Sequence, residues 1–284
     1  MEQNKSVSIL RAAEAGKYGI PAVCCYNLEA ILAVVRAAEN KKSPAMILLF
    51  PWALQYASSL LVNLAADACR SSTVPVSLHL DHAQDEATIR QAALLPFDSI
   101  MVDMSHYEKA DNLARTKALV RLCHERGIAC EAEPGRIEGG EDGVKDTADL
   151  EGMLTTPEEA LQFVDTGIDF LAPAFGNVHG LYGPRGIHLE YERLDAIHRT
   201  VEQKKVHLVL HGTDGFDETI TRRCISHGIT KININSIVRE KYAEVVGARI
   251  GSSPLTHVME EATRAMQEVV EEQMDICMST GKAS

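Results

Sequence analysis

Apolar runs and longer segments with helical spacing alternate along the chain. Short runs of apolar and β-branched residues predict buried strands, and the segments between them carry apolar residues every three to four positions, as amphipathic helices do. Strands that are apolar on both faces and alternate with helices are typical of a parallel sheet covered by helices. The predicted strands are IPAVCCYN (20–27), AMILLF (45–50), VSLHLD (76–81), SIMVDM (99–104), IACEAE (128–133), DFLAPAF (169–175), VHLVLHG (206–212) and ITKININ (229–235).

Strand–helix units repeated in this way predict a closed (β/α)8 barrel, the TIM-barrel fold. No linker or shift in composition divides the chain, so we expect one domain over residues 1–284, with a C-terminal helix over about 254–278 on the barrel wall. The alternative is an open doubly wound sheet, which usually has a glycine-rich phosphate turn after its first strand. Here the first strand ends in CCYNLEA, without glycine, and this favours the barrel.

The composition narrows the class of protein. The 284 residues are 45% hydrophobic and 24% charged, which suits a globular protein. The formal net charge of -12 argues against nucleic acid and anionic membranes as partners. Seven cysteines, without a CxxC pair, predict free thiols in a reducing compartment. The N-terminus lacks the apolar core of a signal peptide and no apolar run reaches membrane-spanning length, so we expect a cytoplasmic protein.

Polar residues accumulate at the predicted carboxyl ends of the strands. In barrels of this type the active site is built from those ends and from the loops that follow them. A concentration of polar side chains there therefore predicts an active site. The residues are Asn27, His79, Asp81, His82, Asp103, Ser105, Glu131, Glu133, Asn177, His179, His211, Asn233, Asn235 and Ser236.

Three of these residues, His82, His179 and His211, predict a metal site. Three imidazoles with an open fourth position form a catalytic zinc arrangement, and the open position admits substrate oxygens. Cobalt, manganese or iron could fill the same ligand set. The alternative for each histidine alone is a structural hydrogen bond, and with eleven histidines in the chain some clustering arises by chance. The coincidence of three at strand ends favours the metal.

The carboxylates at the strand ends can take part in the site only under certain structural conditions. Asp81 and His82 are neighbours, and both can face one site only if the strand turns there. Asp103 and Glu133 could hold a second cation or orient the histidines, and the alternative for Asp103 is a helix N-cap. Glu131 and Glu133 share one strand face, and a buried carboxylate pair needs a metal, lysine or arginine partner.

The segment GRIEGGEDGVKDTADLEG (135–152) is glycine-rich and acidic. It is either a solvated loop or a lid that carries a catalytic carboxylate between glycine hinges. The residues alone leave these two interpretations equally open.

Five motifs follow one another along the chain: HLDHAQDEATIRQA, EAEPGRIEGGEDGV, FGNVHGLY, LVLHGTDG and ITKININ. In order and in spacing they resemble the motifs of the class II, metal-dependent ketose-bisphosphate aldolases. The resemblance covers nearly the whole chain, down to the tail STGKAS. It is closer to the short tagatose/fructose-bisphosphate branch, because the insertions of the long branch are absent.

The resemblance implies a (β/α)8 barrel, usually a homodimer or larger homo-oligomer, that acts on a sugar phosphate. It implies a catalytic Zn²⁺ on the three histidines, a second divalent position and often a monovalent cation. Asp81 matches the acid/base for the hydroxyl at the cleaved bond, and Glu141 matches the loop carboxylate that moves the carbon-bound proton. Asp103 and Glu133 match the carboxylates at the second metal position. Gly180, Gly212 and Asn233 match contacts to the dihydroxyacetone phosphate half, and further candidate substrate contacts are Asn27, Thr213, Asp214, Asn235 and Ser236.

The chemistry of carbon–carbon cleavage agrees with a metal site. Cleavage beside a carbonyl leaves a carbanion, which a lysine Schiff base, a cofactor or a Lewis-acid metal can stabilise. Within the predicted strands, lysine occurs only as Lys231, near the start of the last one. The metal is therefore the means of stabilisation that this sequence can supply.

The residues that match the family's phosphate contacts depart from the family pattern. Thr213 and Asp214 stand where the family has a small residue and then a serine that donates to phosphate, and an ionised carboxylate repels a dianion. After the last strand, Asn235 and Ser236 replace the usual aspartate and threonine. We hypothesise that the substrate is not fructose 1,6-bisphosphate or is bound less tightly than in relatives. The alternative is that Asp214 rotates away and backbone amides hold the phosphate.

Four functions are compatible with these residues. They are a zinc-dependent aldolase for a phosphorylated ketose such as fructose 1,6-bisphosphate, a carbon–carbon lyase for an unphosphorylated or differently charged substrate, a barrel relative without turnover, and a metal-dependent hydrolase. Asp81, Glu141 and the three histidines argue against the inactive relative, since a scaffold without turnover does not need them. Asn233 favours the aldolase over the hydrolase.

Overall fold

The computed structural model describes residues 1–140, 152–184 and 186–283. Eight parallel strands close into a barrel, which confirms the predicted TIM-barrel fold. Every predicted apolar run overlaps one barrel strand, and most of the strands end earlier than the runs, although the third extends two residues further. They are β1 (Ile20–Cys24), β2 (Ala45–Leu49), β3 (Val76–Ala83), β4 (Ser99–Val102), β5 (Ala129–Ala132), β7 (Phe170–Leu171), β9 (His207–Leu210) and β10 (Ile229–Ile234). Around the barrel they follow the order β1-β10-β9-β7-β5-β4-β3-β2.

A separate two-stranded parallel sheet lies outside the barrel wall. It pairs β6 (Glu138–Gly139) with β8 (Val178–His179). Gly139 has a positive φ of 98°, and a Cβ there would lie 2.0 Å from the carbonyl oxygen of His179. Glycine is therefore needed for the close approach that fixes the backbone of His179.

Helices cover the barrel, and several of them begin with a side-chain cap. Asn27, Asp85, Thr156 and Asp217 each accept a hydrogen bond from a backbone N–H of the helix that they precede. The helices are α1 (Lys5–Gly16), α2 (Leu28–Lys41), α3 (Pro51–Ala57), α4 (Leu60–Ser71), α5 (Glu86–Ala92), α6 (Lys109–His124), α7 (Pro157–Val164), α8 (Tyr191–Val201), α9 (Glu218–Ser226), α10 (Ser236–Arg249) and α11 (Leu255–Ile276).

The interior of the barrel is divided by polarity. Near the amino ends of the strands, apolar side chains fill it, and α1 closes that end by adding Val7, Leu10 and Ala13 to the same cluster. The side chains that fill the barrel there include Ile20, Met46, Leu48, Phe170 and Val209. Buried polar side chains occupy the carboxyl-terminal half instead. This division places the polar site at the barrel end where active sites of this fold lie.

The C-terminal helix α11 runs from Leu255 to Ile276, which confirms the helix expected over about 254–278. It packs against α2 and α10 and buries Met266, Val270 and Met274. In the part of the chain that the structure describes, no helix combines the length and the apolar character that crossing a membrane requires.

Candidate metal centre and active site

A bulge in β3 allows Asp81 and His82 to face the same site. Opposite β4, the register shifts between Leu80 and Ala83, so β3 carries one extra residue there. His82 adopts a positive φ of 45°, in the left-handed region that a residue with a side chain seldom occupies. A bulge re-aims side chains, and strain of this kind is typical of functional sites. The turn that the sequence required between these neighbours is therefore present.

The three predicted histidines converge at the carboxyl end of the barrel. His82 Nε2 lies 3.0 Å from His211 Nδ1, and His179 Nε2 lies 3.4 Å from the same atom. All three side chains are buried. Imidazole nitrogens bound tetrahedrally to one zinc ion lie about 3.3 Å apart, because each zinc–nitrogen bond is about 2.0–2.1 Å long. The three nitrogens therefore fit a divalent cation placed between them.

Two of the histidines are oriented from behind by carboxylates. His82 Nδ1 bonds to Asp103 Oδ2 at 2.8 Å, and His211 Nε2 bonds to Glu131 Oε1 at 2.9 Å. The other oxygen of Asp103 accepts hydrogen bonds from the hydroxyl and the backbone N–H of Ser105. A carboxylate behind a ligating imidazole fixes its tautomer and strengthens it as a ligand. This geometry gives Asp103 the orienting role, and its role as ligand of a second cation stays a prediction.

The pKa values of His82 and His179 are shifted in opposite directions. Burial disfavours a charged His82, but the carboxylates of Asp81 and Asp103 outweigh burial and raise its pKa to about 10. Burial and the neighbouring His82 hold the pKa of His179 well below its usual range, so that imidazole is neutral. A metal ion that binds here must displace the proton of His82, and metal affinity therefore falls as the pH is lowered.

Asp81 is held as a buried carboxylate with a lowered pKa. Burial would raise its pKa, but the positive charges of His82 and Lys231 outweigh burial and hold the pKa well below its usual range. Its Oδ2 accepts a hydrogen bond from Asn233 Nδ2 at 2.9 Å, while its Oδ1 has no partner within hydrogen-bond distance among the described residues and lies 3.6 Å from His79 Nε2. Asn233 Oδ1 is a second buried acceptor of this kind. Two unpaired acceptors beside the histidines suit a ligand that brings hydroxyl groups.

The pKa of Glu133 is shifted in the opposite direction from that of Asp81. Burial and the charge of Asp103 raise its pKa to about 8, so in the absence of a cation the group holds a proton at neutral pH. Its Oε1 accepts a hydrogen bond from the Ile137 N–H at 2.8 Å, and its Oε2 is buried without a partner among the described residues. A nearby cation would favour the ionised form, which agrees with the predicted role of Glu133 as a metal carboxylate.

The glycines after His179 and His211 both have positive φ, 82° at Gly180 and 69° at Gly212. A Cβ on Gly212 would lie 2.3 Å from the carbonyl oxygen of Val178, so this glycine lets the loops after β7 and β9 approach each other. Tyr182 links the same two loops, because its hydroxyl donates to the Gly212 carbonyl at 2.8 Å and accepts from the Val178 N–H at 3.1 Å.

The remaining predicted substrate contacts lie around the same end of the barrel, where several serve the fold. Asn27 caps α2, and Asn235 accepts a hydrogen bond from the Tyr26 hydroxyl at 3.0 Å. Thr213 Oγ1 donates to the Asn233 carbonyl at 2.7 Å. Their contact with substrate stays a prediction. Glu141 and most of the acidic loop lie outside the described residues.

The sequence profile of the family "fructose-bisphosphate aldolase class-II" matches residues 4–282. The chain belongs to the class II fructose-bisphosphate aldolase family. The protein is therefore an aldehyde-lyase of the aldolase type, in a family that generally depends on a metal ion. The metal-centre geometry described above is in accord with that family.

Relatives of this aldolase agree with the assignment. A Coccidioides immitis (strain RS) protein named "Putative fructose-bisphosphate aldolase" is 57% identical over an alignment of 291 residues that covers 100% of this chain and 96% of that protein. The crystal structure of a C. immitis protein described in the same way superposes with a TM-score of 0.98 at 58% identity, over 99% of both chains. The YdjI aldolase of Escherichia coli K12 gives a TM-score of 0.86 at 29% identity, over 98% of both chains.

Three residues of the aldolase site make buried contacts that the sequence did not predict. His79, Glu131 and Lys231 form a buried layer beneath the histidines, in which Lys231 Nζ bonds to Glu131 Oε2 at 2.8 Å. The sequence required a partner for Glu131 but did not identify it. The available signal was Lys231 itself, a cation in an apolar strand, two residues before Asn233 and therefore on the same face.

Proposed function

We propose that this aldolase binds Zn²⁺ through His82, His179 and His211 and cleaves a ketose phosphate such as fructose 1,6-bisphosphate reversibly to dihydroxyacetone phosphate and an aldehyde. The observation that carries the proposal is the convergence of three buried imidazole nitrogens beside an ionised carboxylate. Three imidazoles favour zinc among divalent cations, and the missing fourth ligand leaves a place for substrate oxygens. The family name supports the substrate.

The residues around the centre can perform the proton chemistry of this reaction. When bound, the divalent cation supplies Lewis-acid polarisation of the ketone. In the cleavage direction, Asp81 Oδ1 accepts the proton of the hydroxyl on the carbon that becomes the aldehyde. The carbon–carbon bond then breaks, and its electron pair stays on the ketone fragment. That carbon then takes a proton to give dihydroxyacetone phosphate, and Glu141 is the proposed donor because it matches the family's loop carboxylate. Asn233 holds Asp81 through Oδ2, which leaves Oδ1 to the substrate, and Asn233 Oδ1 can accept from a second hydroxyl.

The experiment that tests this proposal is retro-aldol cleavage of fructose 1,6-bisphosphate by zinc-loaded and chelator-treated protein, assayed side by side. We expect dihydroxyacetone phosphate from the zinc-loaded protein, its loss after chelation and its return when zinc is restored. Cleavage that survives complete removal of the metal would refute the metal mechanism. Stoichiometric zinc without cleavage would keep the metal centre and refute the substrate.

One observation favours a second candidate, a lyase for a substrate with less negative charge at the dihydroxyacetone end. Asp214 Oδ2 accepts a hydrogen bond from the Ser236 hydroxyl at 2.7 Å, at the N-terminus of α10. Both residues line a cavity of about 270 Å³ that also touches Gly180. A helix N-terminus favours anions, and here a carboxylate of the chain already lies beside it. A phosphate dianion in this cavity would meet that carboxylate.

Replacement of Asp214 should distinguish the two substrates. We expect Asp214→Ser to lower the KM for fructose 1,6-bisphosphate about tenfold, because loss of about 1.4 kcal/mol of repulsion corresponds to that factor. Steady-state kinetics measure it, with Asp217→Ser as the matched control. Asp217 is the exposed N-cap of α9, where serine also caps, so the control removes the same charge at a distance. An unchanged or raised KM for Asp214→Ser would contradict the repulsion.

The proposal extends to the organisation of the protein. We propose that residues 1–284 form one domain that assembles as a homodimer or larger homo-oligomer in the cytoplasm. Exposed apolar side chains on α3 and α4 support an association surface. Tyr56 and Leu60 are each 76% exposed, and the ring of Trp52 stacks on that of Tyr56 with 4.8 Å between the ring centroids.

We also propose that a second divalent ion binds near Asp103 and Glu133 and that a monovalent cation binds nearby.

A further inference from the structure

A lysine lies deep inside the barrel, directly beneath the metal centre. Lys231 on β10 and Glu131 on β5 both have 0% of their side chains exposed, and Lys231 Nζ bonds to Glu131 Oε2 at 2.8 Å. The second oxygen of Glu131 bonds to His211 Nε2 at 2.9 Å. A continuous chain of contacts therefore connects an ammonium group to the histidine whose other nitrogen faces the metal position.

The fold gives Lys231 this place. Side chains two residues apart on a strand share a face, so Lys231 lies one layer below Asn233, and Glu131 lies one layer below Glu133. The apolar cluster around Met46 and Phe170 fills the barrel towards the amino ends of the strands. Glu131 is thus enclosed between an apolar floor and the metal centre, where an unpaired carboxylate is costly.

A buried ion pair is weak evidence for stability, because apolar residues of similar volume often stabilise a core at least as well. The pair therefore calls for a role other than stability, and the second oxygen of Glu131 indicates one, because it bonds to His211. A carboxylate that is paired with a lysine only accepts hydrogen bonds, so His211 donates to it through Nε2–H. That tautomer leaves the lone pair of Nδ1 directed at His82 Nε2 and His179 Nε2, where the cation binds.

We propose that Lys231 is a positioning residue of the metal centre. It holds the Glu131 carboxylate in place against His211, and through Glu131 it holds His211 in the tautomer and orientation that bind the cation. This inference rests on the proposed metal function and deepens it. It assigns Lys231 a role different from that of a Schiff-base nucleophile, because its ammonium group bonds to Glu131 and lies below the layer of Asp81 and Asn233.

The test is a comparison of metal affinities that needs neither substrate nor turnover. Zinc affinity is measured by competition with a chelating dye for the wild type, Lys231→Met, Glu131→Gln and the double variant. The matched control is Thr230→Val. Thr230 is buried on the same strand, and its hydroxyl donates to the Leu208 carbonyl, away from the metal centre. Melting temperatures of the metal-free proteins show whether the single variants lose comparable stability.

We expect Lys231→Met to bind zinc about 10- to 100-fold more weakly, the usual effect of removing a partner that orients a metal ligand. Thr230→Val should bind as the wild type does. Lys231 acts on His211 only through Glu131. The double variant should therefore lose no more zinc affinity than the single variant that binds zinc less tightly, whereas two independent effects would multiply their losses of affinity. The visible spectrum of the cobalt-substituted protein should change in Lys231→Met and stay unchanged in Thr230→Val, because it reports the geometry of the ligands.

Each further outcome decides between the hypotheses. Wild-type protein that binds no zinc would refute the proposed metal function itself. Wild type that binds zinc, with Lys231→Met equal to it within about twofold instead of the expected 10- to 100-fold loss, would overturn the role of Lys231 alone. Should Lys231→Met not fold, Lys231→Gln keeps a polar side chain at this position, but its shorter amide cannot hold Glu131 where the lysine does, so it should bind zinc more weakly than Thr230→Val. Equal binding by those two variants would also overturn the inference.

Discussion

Asp81→Asn is expected to lower kcat about 10²- to 10⁴-fold, the range that proton transfer by a positioned side chain contributes. Asparagine has the same shape as aspartate and can still accept from Asn233 Nδ2 through its own carbonyl oxygen. The amide group that replaces Oδ1 cannot take a hydroxyl proton, however. The three imidazoles are untouched, so zinc content should stay stoichiometric. The measurement is kcat for ketose phosphate cleavage together with bound zinc by elemental analysis.

The matched control for this variant is Asp98→Asn. Asp98 is a partly buried aspartate whose carboxylate accepts from the Leu78 N–H near the amino ends of the strands, away from the metal centre. Its replacement should leave kcat within about threefold of the wild type, as expected for a substitution without a role in the transition state. A kcat for Asp81→Asn that is equally close to wild type, with zinc bound, would remove Asp81 from the proton transfer.

His179→Ala is expected to weaken zinc binding about 10²- to 10³-fold, because one of three ligands contributes roughly a third of a binding free energy of about 10–16 kcal/mol, reduced by the water that replaces it. Turnover at a fixed, low free zinc concentration should fall by at least the same factor. His179 suits this test because its imidazole is neutral in the metal-free site, so its loss leaves no buried charge unpaired. Chelator competition and cleavage assays measure the two effects.

The control for His179→Ala is His188→Ala, an exposed histidine in the same part of the chain. It should bind zinc and turn over as the wild type does. Both proteins are best compared at pH 8 and at pH 6.5, since the proton on His82 competes with the metal and affinity should be lower at the lower pH. A His179→Ala protein with wild-type zinc affinity at both pH values would exclude His179 as a ligand.

The barrel strands could be located from the sequence because they are apolar on both faces. Each run identified in this way overlaps a strand, from β1 at Ile20 to β10 at Ile234. The ends of the strands were less accurate, most of all for the run 169–175, of which only Phe170–Leu171 pairs as a strand. Pro173 has no N–H to donate there, and the chain turns towards the small sheet instead. Helix α1 was not predicted, although Val7, Leu10 and Ala13 have its spacing.

The residues of the site could be named from the sequence, but several of their relations could not. The three histidines and Asp81 lie together as expected. The orienting role of Asp103, the ion pair of Lys231 with Glu131 and the hydrogen bond from Ser236 to Asp214 join residues that are 21, 100 and 22 positions apart. Such pairs depend on strand register and side-chain direction, which no local pattern specifies.

The sequence by itself determined the class of fold and identified the candidate metal ligands. Apolar periodicity reports burial directly, and imidazoles and carboxylates at strand ends have few uses other than chemistry. The tertiary structure decided how those groups are aimed. The bulge and the positive φ of His82 bring two neighbouring side chains to one site, and the buried ion pair with Lys231 places the Glu131 carboxylate behind His211. Both effects arise because closing the barrel fixes the register of all its strands together, so distant residues are enclosed where water cannot solvate them and must be partnered by one another.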